Sequence, residues 1–276
     1  MKGYLAGIKS YQLDLGIDCS AFTDPRLERT IQGIKRDHNQ PDRQTRTPLT
    51  RPYLLRILAC LSETSYNNIT LRAAFTLAFA GFLRVGEFTY KATDRDLGAS
   101  FGNGHITKNC IQVMGNGSHM EVTLPSSKTD PFRKGIKLTI AASHDQGCPV
   151  SAIRRFFSID NHRPSQAPLF CIGIQEQLPF TREYIVNKLQ ELAREAGLGG
   201  GSWNGHSFRR GAATWAAEVG IPETEIQTLG RWRSDAYKAY IEYSPAEQSS
   251  LSRRFQRTHN SRPEGNTACL TMGGRR

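Results

Sequence analysis

The chain has 276 residues, with 36 Lys or Arg against 25 Asp or Glu, and its formal net charge is +11. Hydrophobic residues make up 38% of the sequence and aromatic residues 9%, which is enough for a packed core and excludes wholesale disorder. The longest apolar stretch, residues 73–83, is well short of the ~20 residues that a membrane-spanning helix needs, and no continuous apolar segment follows Met1. These features predict an intracellular protein, neither membrane-embedded nor secreted, whose positive charge favours a polyanionic partner, most often nucleic acid.

The six cysteines are scattered and form no Cys-x-x-Cys pair. This usage is typical of a reducing compartment and does not favour a zinc site. No Gly-rich phosphate-binding motif of the GxxxxGK[ST] type occurs, so a bound nucleotide is not expected either.

The first elements in chain order are two short helices and a polar stretch. Apolar residues at spacings of three and four predict an amphipathic helix over residues 2–15, and a second short helix follows Pro25. Residues 35–47 contain one proline and no apolar residue, which predicts a solvated basic linker.

The remaining elements are mainly helical, with a small sheet inserted early. A helix capped by Thr50 is followed by an almost uniformly apolar helix over residues 69–83. Alternating apolar residues between 105 and 142 then predict three antiparallel strands. Helical patterns return at 149–159, 182–196, 207–219, 222–229, 234–243 and 246–256, before a tail rich in Gly, Arg, Ser, Asn and Thr. The fold class is therefore mainly α (α+β).

Arg84 follows the apolar helix in the segment AGFLRVGE, where a charged side chain is costly unless a negative group meets it. Glu87 lies three residues on and could pair with it, which would be a purely structural role. The functional alternative is an arginine fork that binds a phosphate and is held by Glu87.

Two further segments carry polar residues in unusual places. His206 and Arg209 stand at a predicted helix start, where backbone N–H groups and the helix dipole favour an anion. Lys128 lies on a hairpin, where it could be a solvated surface residue or could reach over a substrate and donate a proton.

The segment LGRWRSD is followed by Tyr237, Tyr240 and Tyr243 at a spacing of three, which normally indicates packing. One of the hydroxyls could instead be a nucleophile. Because a free tyrosine has a pKa of about 10, such a nucleophile needs nearby cations.

In the order arginine, lysine, His-x-x-Arg, His or Trp, tyrosine, these segments resemble the tyrosine recombinases of the phage-integrase class. GFLRVGEF is similar to the first arginine box, SKTD to the lysine hairpin, HSFRRGAAT to the second box, and LGRW and YKAYI to the last two. The segments SKTD, HSFRRG and LGRWRSDAY resemble recombinases of DIRS-like or Crypton-like eukaryotic mobile elements. The similarity runs from about residue 47 to about residue 257.

The resemblance implies a DNA breaking-rejoining enzyme without cofactor or metal. Arg84 and Arg209 would clamp the scissile phosphate, Glu87 would support Arg84, Lys128 would protonate the leaving oxygen, and His206 would assist proton transfer. Tyr240 would be the nucleophile, with Tyr237 and Tyr243 as alternatives. Trp232 would take the His/Trp role, although the family's more usual spacing of nine residues before the tyrosine falls on Arg231.

The resemblance also predicts the organisation of the chain. Residues 1–45 would be a partial helical core-binding domain, 46–257 the catalytic domain and 258–276 a disordered basic tail. The partners would be double-stranded DNA and a homotetramer assembled on it, with nuclear localisation. Expected DNA contacts are Lys35, Arg36, Arg43, Arg46, Arg210 and Arg231.

Two other interpretations stay open: a catalytically inactive DNA-binding relic of a mobile-element recombinase, and a type IB topoisomerase.

Overall fold

A computed structural model describes residues 2–37, 46–91, 104–125 and 134–241, together with 249, 252 and 253. Arg43, Lys128, Tyr243 and the predicted tail lie outside the described residues, as does most of the predicted helix at 246–256. The chain divides into two units, Met1–Thr45 and Arg46–Arg276. No helix in the described part is long and apolar enough to cross a membrane.

The first unit contains helix α1 (Lys2–Asp14), a 3-10 turn and helix α2 (Pro25–Asp37). The predicted linker therefore starts too early, because residues 35–37 still belong to α2. Lys and Arg are good helix formers, so a loss of apolar residues does not by itself end a helix.

The second unit is a helical domain with a three-stranded sheet and a small hairpin. Its elements in chain order are α3 (Arg51–Ala59), α4 (Tyr66–Ala80), α5 (Val85–Phe88), β1 (Ile111–Val113), β2 (His119–Leu124), β3 (Ile136–Ala141), α6 (Pro149–Ile159), β4 (Cys171–Ile172), β5 (Leu178–Pro179), α7 (Arg182–Glu195), α8 (Ser207–Glu218), α9 (Glu223–Gly230) and a 3-10 helix (Asp235–Tyr240). A mainly helical fold with a small antiparallel sheet is confirmed.

Helix α4 lies at the centre of the core, because every residue from Ile69 to Phe79 except Arg72 is buried. It packs on α8 through Phe75, whose ring meets the Phe208 ring edge-on at a centroid distance of 5.1 Å. The start of α8 also lies close to the segment before α3: a Cβ placed on Gly211 would be 1.8 Å from the Leu49 carbonyl oxygen. Glycine at position 211 therefore lets the two backbones approach.

The sheet has the order β1-β2-β3 with both pairs antiparallel, as the alternation predicts. Met120, Val122 and Leu124 on the middle strand are fully buried, while the intervening residues are not. This period of two lays one face of the sheet on the core.

Three further details differ from the sequence prediction. The apolar helix ends at Ala80 and not at residue 83, and the predicted helix at 234–243 is a 3-10 helix ending at Tyr240. The β4–β5 hairpin was missed because strands of two residues are too short to show an alternation.

Candidate active site

Arg84 is positioned by the way α4 ends. The Leu83 N–H donates to the Ala78 carbonyl and the Phe82 N–H to the Phe79 carbonyl, while Phe82 adopts a left-handed φ of 49°. This is a Schellman motif, which reverses the chain directly after the helix. Arg84 then precedes the single turn of α5, and its side chain is 27% exposed.

Glu87 holds two arginines with one carboxylate. Its Oε1 accepts from Arg84 Nη1 at 2.9 Å, and its Oε2 accepts from the Arg84 backbone N–H at 2.9 Å and from Arg231 Nη2 at 3.0 Å. The Glu87 side chain is 5% exposed, so these hydrogen bonds are largely shielded from water. The ion pair between Arg84 and Glu87 thus exists, and its carboxylate is shared.

Helix α9 ends in the same way as α4. The Trp232 N–H donates to the Gln227 carbonyl and the Arg231 N–H to the Thr228 carbonyl, with Arg231 at a left-handed φ of 58°. The Trp232 ring folds back over Gly230, where an added Cβ would lie 1.5 Å from a ring carbon. This turn places the Arg231 side chain within hydrogen-bond distance of Glu87 and the Trp232 ring against Arg209.

Arg209 lies in the first turn of α8 and is only 1% exposed. Its Nη1 donates to the Phe82 carbonyl at 2.7 Å, its Nη2 to the Gly230 carbonyl, and its guanidinium carbon is 4.2 Å from the Trp232 ring centroid. Burial and the charge of Arg84 lower the pKa of Arg209 to about 9, which leaves it protonated at neutral pH. Both terminal nitrogens of Arg209 thus already donate to backbone carbonyls. The expected contact between Arg209 and a phosphate stays a prediction.

His206 is the N-cap residue of α8, and its backbone N–H donates to Asn204 Oδ1 at 2.9 Å. Its ring faces the Tyr240 ring at a centroid distance of 6.5 Å. Burial lowers the pKa of His206, and the positive charges of Arg46, Arg182, Arg84 and Arg209 lower it further. The imidazole is therefore neutral at pH 7 and able to accept a proton.

The structure distinguishes Tyr237 from Tyr240. Tyr237 is buried, and its hydroxyl donates to Glu223 Oε2 at 3.0 Å. Burial and this hydrogen bond raise the pKa of Tyr237, which makes it a poorer nucleophile.

Tyr240 is half-buried between His206 and Trp232, whose ring centroid is 5.7 Å away. Its carbonyl accepts from Thr214 Oγ1 at 2.8 Å, and its hydroxyl makes no hydrogen bond within the described part of the chain. Tyr240 is thus fixed through its backbone and ring while its hydroxyl is left available.

The structure brings seven of the predicted site residues together, namely Arg84, Glu87, His206, Arg209, Arg231, Trp232 and Tyr240. Three guanidiniums surround one carboxylate here, so the cluster keeps two positive charges that the described residues do not neutralise. Such a cluster can bind a phosphate beside a tyrosine hydroxyl. Nowhere in the described ranges do three or more His, Cys, Asp or Glu side chains form a group that could hold a metal ion.

The other expected DNA contacts are placed as follows. Arg46 is exposed at the start of the second unit and Arg210 is partly exposed on α8, whereas Lys35 and Arg36 belong to α2 in the first unit. Their contacts with DNA stay a prediction.

Sequence reasoning missed three residues around the site. Arg182 at the start of α7 lowers the pKa of His206, Thr214 holds the Tyr240 carbonyl, and Glu223 binds the Tyr237 hydroxyl. Thr214 stands in the HSFRRGAAT box and could have been noticed. Arg182 and Glu223 occupy ordinary helix N-termini, which give no signal of a site.

No family model matches the sequence, and no curated protein matches it either. Solved structures do match the fold. The crystal structure of XerA recombinase aligns with a TM-score of 0.53 at 16% identity, over 78% of this chain and 66% of that one. The XerH site-specific recombinase bound to palindromic difH substrate, in a post-cleavage complex, aligns with a TM-score of 0.55 at 12% identity, over 80% of this chain and 56% of that one.

The chain therefore spans less than two thirds of the length of these structures. At such low identity the similarity establishes the fold, which is that of the tyrosine recombinase catalytic domain.

Proposed function

We propose that this chain is a DNA breaking-rejoining enzyme, a site-specific tyrosine recombinase or integrase of a mobile element, with Tyr240 as its nucleophile. The observation that carries the proposal is the placement of Tyr240. Its ring lies against Trp232 and His206 and its hydroxyl is close enough to Arg209 for their charges to interact, whereas the Tyr237 hydroxyl is bonded to Glu223. The fold shared with XerA and XerH supports the same class of reaction.

The chemistry follows from these side chains. The Tyr240 oxygen attacks the scissile phosphorus as its proton passes to the neutral His206, and the bond to the 5′-oxygen breaks. The products are a 3′-phosphotyrosyl bond and a free 5′-hydroxyl, whose proton Lys128 supplies. Arg84, the most exposed arginine of the cluster, stabilises the charge on the phosphate oxygens. The covalent bond conserves the energy of the broken ester, so rejoining by the reverse reaction needs no nucleotide.

The partners of the proposed enzyme are double-stranded DNA and further copies of itself in a synaptic tetramer. The net charge of +11 supports DNA as the partner, because cationic side chains neutralise phosphates and release counterions. The surplus positive charge of the arginine cluster would act on the phosphate at the point of cleavage.

The decisive experiment is covalent capture on nicked duplexes tiled across the DNA that flanks the gene. A nick beside the cleavage point lets the cleaved fragment dissociate, so the phosphotyrosyl adduct accumulates and survives denaturation. We expect wild-type protein and Tyr237→Phe to form the adduct and Tyr240→Phe to form none, since only Tyr240 would supply the attacking oxygen.

Tyr237→Phe is the matched control, because it removes the same hydroxyl from a tyrosine three residues away. An adduct that persists in Tyr240→Phe would disprove the assignment of the nucleophile. DNA binding by the wild-type chain without any adduct would indicate the inactive DNA-binding relic.

A further inference from the structure

Thr214 on α8 differs from other helical threonines in the acceptor of its hydroxyl group. Its Oγ1 donates to the carbonyl of Tyr240, which lies outside its own helix, at 2.8 Å. A threonine hydroxyl within a helix commonly donates to the carbonyl four residues earlier. Four other described threonines make that local bond: Thr30, Thr70, Thr76 and Thr228. Thr214 instead uses its single O–H to join α8 to the segment that carries Tyr240.

The Tyr240 carbonyl is an acceptor that its own helix cannot satisfy. Tyr240 is the last residue of the 3-10 helix that begins at Asp235, and the last carbonyls of a helix have no partner within it. Thr214 is 2% exposed, so its hydroxyl is shielded from water and directed at this one acceptor. The hydrogen bond therefore fixes the end of the 3-10 helix on α8, at the residue whose side chain would react.

Helix α8 contacts Tyr240 at two levels. The Tyr240 backbone is bonded to Thr214, and its ring faces the ring of His206, the N-cap residue of the same helix, at a centroid distance of 6.5 Å. The separation between residues 206 and 214 corresponds to roughly 12 Å along a helix axis. The Tyr240 side chain thus runs along α8 toward its N-terminus, and the bond to Thr214 sets how far it reaches.

We propose that Thr214 is a positioning residue for the nucleophile, whose hydroxyl sets the distance of the Tyr240 oxygen from the scissile phosphate and from His206. This inference rests on the proposed function, in which Tyr240 attacks and His206 accepts its proton. Attack needs the reacting atoms at about 3–3.5 Å, and a misplacement of about 1 Å slows such a step by as much as ~10²-fold. A bond to the backbone of the nucleophile acts on that distance without touching the substrate.

Thr214→Val tests the proposal, because valine keeps the shape of the side chain and removes the O–H donor. We expect adduct formation at saturating nicked duplex to slow by about 10–10²-fold, since the Tyr240 backbone is no longer held. DNA affinity should stay within about threefold of wild type, because the buried Thr214 side chain acts only on the reacting step.

Thr76→Val is the matched control for the loss of a buried threonine hydroxyl. Thr76 is also buried, and its hydroxyl donates to the Arg72 carbonyl of its own helix at 2.8 Å. The variant removes an equivalent donor from α4 without releasing Tyr240. It should therefore form the adduct at the wild-type rate.

Thr214→Ser separates positioning from packing. Serine keeps the hydroxyl donor and loses the buried methyl group, so its melting temperature should fall below that of wild type. We expect its adduct rate to stay within about threefold of wild type, while that of Thr214→Val stays low. If Thr214 acted only through stability, the loss of rate would instead follow the loss of melting temperature in both variants.

A 3-fluorotyrosine label supplies a readout that needs no reaction. The Tyr240 ring lies 5.7 Å from the Trp232 ring, between centroids, so its fluorine signal in free protein should be displaced by the ring current from that of free fluorotyrosine. Thr214→Val should move this signal toward the free value. The signal of Tyr237, whose hydroxyl stays bonded to Glu223, should not move. Tyr240→Phe and Tyr237→Phe assign the two signals.

The possible outcomes distinguish a failure of this inference from a failure of the proposed function. If wild type forms the adduct and Thr214→Val matches its rate within about threefold, the inference is wrong and the proposed function stands. If both Thr214 variants slow in proportion to their loss of melting temperature and the Tyr240 signal does not move, Thr214 is structural and the inference is wrong. If wild type forms no adduct on any duplex, the proposed function fails and the role of Thr214 in the reaction fails with it.

Discussion

At the scale of single residues, the charge balance of the site depends on Glu87. One carboxylate meets two guanidiniums, and a third lies nearby on the Phe82 carbonyl. Unpaired buried charge is costly, so a cluster with two surplus positive charges is explained best by an anion that completes it. The same surplus depresses the pKa of His206 and keeps its imidazole neutral.

The titration of His206 measures directly how strongly the positive charges of the arginine cluster act on its imidazole. Burial and the surrounding arginines lower its pKa in the folded protein, so we expect its NMR titration in free protein to have a midpoint below 6.5. Arg84→Gln should raise the midpoint, because it removes one of the positive charges, whereas Arg155→Gln should leave it unchanged. His206→Gln identifies the resonance.

The sign of the stability effect follows from the direction of the shift. Between the folded pKa and 6.5 the unfolded chain binds more protons at His206 than the folded chain does, so this residue destabilises the protein as the pH falls below 6.5. Wild type should therefore lose more stability than His206→Gln between pH 7 and pH 5. A titration midpoint of His206 at or above 6.5 would contradict the proposed effect of burial and of the surrounding arginines on its pKa.

At the scale of elements, two helix ends and one close helix packing build the site. Helices α4 and α9 both terminate in Schellman motifs with a residue other than glycine in the left-handed position, Phe82 and Arg231. Arg209 on α8 donates to a carbonyl from each turn. One guanidinium thereby joins α8 to the turn after α4 and to the turn after α9. These hydrogen bonds form only if α8 is placed accurately.

Gly211 sets that placement, and its substitution tests it. We expect Gly211→Ala to lower the free energy of unfolding by about 1–3 kcal/mol, because the new Cβ would lie 1.8 Å from the Leu49 carbonyl oxygen. Gly86→Ala in α5 is the matched control. Nothing lies within 4 Å of its added Cβ, and alanine in a helix is favoured over glycine by about 0.5–1 kcal/mol. Urea unfolding measures both, and equal midpoints for the two variants would refute the close approach.

At the scale of the whole molecule, positive charge is spread over both units. Exposed Arg36 belongs to the Met1–Thr45 unit and exposed Arg154 to the other, and the chain as a whole carries a net charge of +11. If these basic residues contact DNA phosphates, the logarithm of the binding constant should fall linearly with the logarithm of the salt concentration.

The slope of that plot measures how many phosphates the whole protein neutralises. Arg36→Gln and Arg154→Gln should each reduce its magnitude by about 0.9, and the double variant by about 1.8. Lys188→Gln should leave the slope unchanged, because Lys188 is paired with Glu191 at 2.8 Å. Fluorescence anisotropy across a salt series provides the measurement, and a slope that Arg36→Gln leaves unaltered would exclude DNA contact by that residue.

The sequence alone predicted the mainly helical fold, the three strands and most helices, because each depends on local periodicity. Met120, Val122 and Leu124 alternate as a half-buried strand must, and every residue of α4 from Ile69 to Phe79 except Arg72 is buried, as in a central helix. The residues of the cluster were also recognisable, because each reactive box is a run of neighbouring residues such as HSFRRGAAT.

What only the tertiary structure decided is how those boxes meet. Three features depend on contacts between separate segments: the sharing of Glu87 by Arg84 and Arg231, the burial of Arg209 beside Trp232, and the hydrogen bond of the Tyr237 hydroxyl to Glu223. A hydrogen bond between residues 87 and 231 leaves no trace in either local pattern, since periodicity reports which side of an element is buried and not what it is buried against. The sequence thus determined which groups are available for the proposed reaction, and the packing of α4, α8 and α9 determined which of them face one another.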